Sequence, residues 1–206
     1  MINAYKLGHF FQNNSGGGMY YLFLLFRKIF LRSNERRVDF LRGQGATIGK
    51  NVNIGWYTVG TEPYLVEIGD NTYFSEGARC ITHDGGIAQL MHMGLTDKMY
   101  DVLGKIKIGS NCFIGTQTII LKNVTIGDNC IIGAGSVVSK SIPSGSVAAG
   151  VPARVIETVE EYYEKNKVNF DDTIGWPSRQ KRQYAESHME KYERILREKH
   201  ANISRF

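Results

Sequence analysis

Few side chains in this chain combine reactivity at neutral pH with a suggestive position. His83 stands in the run Cys80-Ile81-Thr82-His83-Asp84-Gly85-Gly86. An imidazole, with a reference pKa near ~6.5, suits a general base that takes a proton from a substrate hydroxyl. Asp84 is a candidate to orient that ring, although adjacent side chains often face apart. His92, further along the same segment, is an alternative base or an acceptor contact. Cys80, Cys112 and Cys130 are an odd number with no C-x-x-C, so they imply neither a disulfide framework nor a zinc ribbon. They fit a reducing, cytoplasmic setting. No metal site is expected either: the central region holds only His83 and His92, both in one segment.

The element that positions these residues is a repeat. Ile108, Ile114, Ile120, Ile126, Ile132 and Val138 recur every six residues without a miss, and most are followed by a small residue. A period of six fits neither an amphipathic helix nor an alternating strand; it is the signature of a β-helix. Each hexapeptide forms one short strand and a corner, three make a triangular coil, and the aliphatics stack inward. Three residues after each aliphatic, Asn51, Asn71, Gly77, Asn111, Asn123, Asn129 and Gly135 suit a corner in the left-handed backbone region. The packed positions also take up the three cysteines.

Counting backwards, Ile48 and Ile54 share one register and Ile68, Phe74 and Cys80 another, displaced by two extra residues around Thr61 to Tyr64. Between Cys80 and Ile108 the frame breaks, so a structureless loop is expected from about Asp84 to Gly104. His83 lies three residues after Cys80, an outward corner at the mouth of that loop. Register alone leaves two readings open, a base that reaches substrate or a surface histidine with no role.

The coil is expected over residues 46–156, ending after Pro143 and Pro152 remove ladder donors. A helical extension should occupy 157–206, with helices from Glu157 to Lys167 and from about Ser178 to His200. Tyr184, His188, Tyr192, Ile195 and Leu196 supply the stripe of the second. Residues 1–45 form a basic N-terminal helical segment that holds all of the net charge of +5. That concentration argues against a nucleic-acid surface spread over the fold. Leu22, Leu25, Phe26, Ile29 and Phe30, followed by arginines, read as a basic amphipathic helix. It either packs on the coil or, through residues 17–42, docks on an anionic membrane face. The apolar run Met19–Phe26 is too short to span a bilayer.

Residues 114–156, IGTQTIILKNVTIGDNCIIGAGSVVSKSIPSGSVAAGVPARVI, closely resemble the C-terminal half of the hexapeptide-repeat acyltransferases. FSEGARCITHDGG with a loop ending in MYDVLGKIKIG resembles the maltose, galactoside, xenobiotic and capsular-polysaccharide O-acetyltransferase branch. The resemblance covers most of residues 46–156. It implies an all-β core, a single-stranded left-handed parallel β-helix of hexapeptide repeats with flanking N- and C-terminal α-helices, assembled as a homotrimer with active sites between subunits. It further implies acetyl-CoA as acyl donor, a sugar hydroxyl as acceptor, surface-polysaccharide assembly as the setting and His83 as the base. By motif, Thr116, Ala134, Ser139 and Lys140 line the coenzyme groove, Arg154 meets its phosphates, and Phe113 lies near the acceptor. N-acetylation of a nucleotide-linked amino sugar, or a non-catalytic trimeric scaffold, are the alternatives.

Overall fold

A computed structural model describes residues 33–55 and 58–203. The expected N-terminal amphipathic helix, and residues 17–32 of the segment assigned to membrane contact, lie outside the described residues. Three sheets form the walls of the coil. The first holds β1 (Thr47–Ile48), β2 (Val66–Ile68), β5 (Ile106–Ile108) and β8 (Thr125–Ile126). The second holds β4 (Arg79–Ile81), β7 (Ile119–Leu121) and β10 (Val137–Val138). The third holds β3 (Tyr73–Phe74), β6 (Phe113–Ile114), β9 (Ile131–Ile132), β11 (Ser146–Gly150) and β12 (Ala153–Thr158). From β2 to β10 consecutive strands visit successive walls, and every strand pairing is parallel except the terminal β11–β12 hairpin.

The pairings explain each irregularity of the repeat. Ile108 lies beside Ile126, which defines one regular turn of the coil. Ile48 lies beside Ile68, and the surplus length of that turn is accommodated by a 3₁₀ turn at Pro63–Leu65. Ile68 lies directly beside Ile108, so everything this turn carries in excess of a regular one is extruded from the coil. Inward, the aliphatics form one continuous column in which Ile54, Ile106, Ile114, Ile120, Ile126 and Ile132 are fully buried. Where a glycine follows the aliphatic, it answers a steric demand. A Cβ on Gly109 would collide with Asp128 Oδ1 and stand 2.6 Å from the Asp128 backbone nitrogen.

At the expected corners Asn51, Asn71, Asn111, Asn123 and Asn129 all have φ between 53° and 64°. Four of them bond to one another: each Nδ2 of Asn51, Asn71 and Asn111 donates to the Oδ1 of the asparagine one turn on, at 3.0–3.1 Å. Gln117 (φ 57°) occupies a further left-handed corner that its residue type did not announce.

An open β-helix exposes unpaired strand edges that must be covered. Helix α1 (Asn34–Gly43), capped by Ser33, closes the first turn. Asn34 Nδ2 donates to Val52 O while its Oδ1 accepts from Ile54 N. Arg37 donates to Ile54 O, and Arg42 to Ile48 O and Gly49 O. Two arginines counted in the basic N-terminal segment are therefore engaged with coil carbonyls.

The chain divides into two compact units, the second beginning at Asn166. Helix α2 (Gln89–His92) lies in the segment after His83, and helix α3 (Val159–Asn166) runs to the boundary between the units. The second unit contains α4 (Ser178–Ser187) and α5 (Met189–Ile203). The single helix expected from 178 to 200 is broken at His188, whose ring stacks on Tyr184 at 4.1 Å and whose Nδ1 lies 2.9 Å from Tyr184 O. Asp171 holds this unit together: its carboxylate accepts from Tyr184 OH, Lys191 Nζ and Tyr192 OH. Among the described residues no helix is long and apolar enough to cross a membrane.

Candidate active site

His83 sits where the coil is abandoned rather than at a completed corner. Strand β4 delivers it, and the chain then leaves and returns through an antiparallel bridge between His83 and Leu103. Asp84 N donates to Val102 O, and Gly104 N to Thr82 O at 2.8 Å, so the base of the excursion is closed by backbone hydrogen bonds. The excursion is not structureless, as the frame break suggested: a 3₁₀ turn over Gly85–Ala88 runs into α2. Its remaining length exposes Met93, Leu95, Met99 and Tyr100.

The His83 side chain is 40% exposed, and its Nδ1 lies 3.0 Å from Glu62 Oε2. Glu62 comes from the preceding turn, inside the two-residue insertion. Its Oε1 accepts from Thr61 and its Oε2 from the buried Thr82 hydroxyl, both at 2.5 Å. Burial works to raise the Glu62 carboxyl, but hydrogen bonds from Thr61, Thr82 and His83 outweigh it and bring it below its ordinary value. The hydrogen bond and then the charge of Glu62 raise His83 above the usual histidine pKa, with Asp101 and Asp84 adding smaller contributions.

Asp84, expected as the residue that orients the ring, does something else. Its Oδ2 pairs with Lys122 Nζ at 3.0 Å and its Oδ1 accepts from Gly86 N. Lys122 and then the Gly86 N–H hold its carboxyl below the ordinary range. An extended chain sends neighbouring side chains to opposite sides, so the partner of His83 had to come from another turn. Glu62 was missed because it lies a whole turn earlier in the sequence; the signal for it was the two-residue slip in the register.

The remaining candidates are spread over the coil. Thr116 and Ala134 are exposed at stacked corners, linked by Gly135 N donating to Thr116 O. Ser139 and Lys140 are exposed just after β10, which pairs with β7 ahead of Lys122. Arg154 lies on β12, exposed, with Nη1 donating to Ala153 O. Phe113 stacks on Tyr73, ring centroids 5.8 Å apart and planes 8° from parallel, both nearly half exposed. His92 is exposed at the end of α2. Within one chain the structure brings Glu62, Thr82 and His83 together and does not gather these other residues around them. Among the described residues no group of three or more His, Cys, Asp or Glu is arranged to hold a metal ion.

Residues 105–140 match the bacterial transferase hexapeptide (six repeats) family. Protein CapG of Staphylococcus aureus is 37% identical over 155 residues, 71% of this chain and 87% of that protein. Two solved structures are also similar. A maltose O-acetyltransferase from Clostridium difficile 630 is 28% identical with a TM-score of 0.42, over 74% of this chain and 82% of that one. A galactoside acetyltransferase in complex with coenzyme A is 27% identical with a TM-score of 0.46, over 67% and 76%. The six-residue repeat, the parallel three-walled coil built from it and the extent of the CapG match lead to one assignment: the chain belongs to the bacterial hexapeptide-repeat transferase family.

Proposed function

We propose that the protein transfers an acetyl group from acetyl-CoA to a hydroxyl of a sugar, in the assembly of a surface polysaccharide, with His83 as general base. The observation that carries this reading is the hydrogen bond between His83 Nδ1 and Glu62. A carboxylate acceptor at Nδ1 keeps the proton of the neutral ring there and turns the lone pair of Nε2 outward. Acetyl-CoA supplies an acyl carbon whose thiolate is a good leaving group. The sugar oxygen forms the new C–O bond as Nε2 takes its proton, the C–S bond breaks, and the proton returns to the departing sulfur. Glu62 stabilises the imidazolium formed in between, as the carboxylate of a hydrolase triad does. A hydroxyl needs this help more than a free amine does, which favours O- over N-acetylation.

The chemistry of the exposed groups suits the coenzyme. Arg154 and Lys140 are cations fit for its phosphates, while Thr116, Ser139 and the backbone beside Ala134 offer hydrogen bonds to a pantetheine arm. Because these groups occupy separate corners and an edge strand, a neighbouring subunit has to complete the groove. The exposed apolar residues Ile119, Val155 and Ile156 support a homotrimer with such intersubunit sites. Calorimetric titration of acetyl-CoA, with light scattering for assembly mass, tests the reading. Saturable binding near one site per chain in a trimer, followed by thiol release on adding sugar, is expected; no binding at millimolar coenzyme overturns it.

A further inference from the structure

A depression of about 410 Å³ opens at the corner between β3 and β4, lined by Arg37, Asn53, Thr58, Tyr73, Glu76 and Arg79 among others. Thr58 is buried, 2% exposed, yet its Oγ1 has no hydrogen-bond partner; among the described residues it is the one buried side-chain polar atom left so. An orphaned buried hydroxyl is destabilising in the free protein and is satisfied if a ligand reaches it. At the rim, Arg79 is exposed and forms no ion pair among the described residues. Beside it the stacked rings of Tyr73 and Phe113 offer a flat apolar platform, and Glu76 a carboxylate able to accept from hydroxyls.

The depression is joined to the base. Cys80 N donates to Thr58 O at 2.7 Å, so its floor is bonded to the strand that leads to His83. Along that strand Cys80 and Thr82 are buried while Arg79, Ile81 and His83 alternate on the outer side. Four extended residues at about 3.3 Å each place Arg79 about 13 Å from His83 on one face.

We propose that this depression selects an acceptor bearing an oxyanion: Arg79 pairs with a phosphate or carboxylate carried by the sugar, with Tyr73 under a ring and Thr58 and Glu76 on hydroxyls. The spacing fits a charge displaced by a sugar unit or more from the hydroxyl that is acetylated. A glycosyl diphosphate and a uronic-acid residue both supply that chemistry. This inference rests on the acetyl-transfer reading for its substrate.

The test compares cellobiose, cellobiouronic acid and UDP-glucose as acceptors, read by thiol release from acetyl-CoA. At least one anionic acceptor should exceed cellobiose in kcat/KM by about 10–100-fold. That ratio should collapse in Arg79→Gln and partly survive in Arg79→Lys. Which anionic sugar is preferred tells carboxylate from diphosphate. Equal use of neutral and charged acceptors, or a preference that Arg79→Gln leaves intact, overturns the subsite while acetyl transfer stands. Should bound acetyl-CoA release no thiol with any sugar, the transfer reading fails, and calorimetric titration of the two anionic sugars decides the subsite separately. Binding that Arg79→Gln abolishes supports it, and no binding to the unaltered protein refutes it. Thr58→Val should weaken acceptor binding without lowering the Tm; a lowered Tm would make the hydroxyl structural and remove it from the subsite.

Discussion

His83 Nδ1 and Glu62 Oε2 are 3.0 Å apart between adjacent turns of the coil, and the carboxylate is itself fixed by Thr61 and Thr82. Glu62 raises the pKa of His83, so the fraction of neutral imidazole, and with it base-catalysed turnover, rises only as pH passes above the usual histidine range. Glu62→Gln removes the charge and should move the acidic limb of the kcat/KM profile to lower pH while reducing kcat on the plateau. An unmoved limb would separate Glu62 from the base.

His83→Ala should lower turnover by about 100-fold or more and leave acetyl-CoA affinity and assembly mass as they are. The paired measurement of kcat and calorimetric Kd distinguishes a lost base from a disturbed fold.

Arg154 is exposed and bonded only to its own neighbour's carbonyl among the described contacts. Arg154→Ala should weaken acetyl-CoA binding by about 10-fold, the worth of a charge-assisted hydrogen bond. Equal affinity in a titration against wild type would place the coenzyme phosphates elsewhere.

Gly109→Ala should destabilise the coil by about 1–3 kcal/mol, since the new methyl meets the backbone of the next turn. Thermal unfolding of the two proteins in parallel measures it. A similar Tm would mean that the turns can part more easily than their spacing indicates.

Cys80, Cys112 and Cys130 are free and buried, and burial pushes the Cys80 thiol up to about 12. Hydrogen bonding with Cys112 draws the Cys130 thiol below its ordinary value, but all three are closed to solvent, so native protein should react negligibly with a disulfide reagent such as Ellman's, and all 3 cysteines should react in guanidinium. The same insensitivity permits thiol-release assays on the intact enzyme.

The coil was legible because its period is strict: every inward aliphatic from Ile108 to Val138 meets its partner one turn away, and the asparagine corners need a backbone region few residues tolerate. Gln117 escaped because glutamine carries no such marker. The origin of the contact to His83 escaped for a different reason. Sequence adjacency nominated Asp84, whereas in a coil the near neighbour of a residue lies a whole turn away, and only the slip at Thr61–Tyr64 hinted that this turn was built differently. Arg37 and Arg42 looked like part of a charged surface because their partners are backbone carbonyls, which any sequence supplies.

Residues 83 to 103 begin and end at one backbone hydrogen bond, Gly104 N to Thr82 O, while Ile68 and Ile108 pair as though nothing lay between them. The register of the coil is thus kept whatever length the excursion has beyond His83 and Asp84, the two residues that tie it to Glu62 and Lys122. Descendants of such a chain can exchange the part of this appendage beyond Asp84 without solving the folding problem again, and a protein engineer could graft between Asp84 and Val102, where the backbone is already hydrogen-bonded across the base.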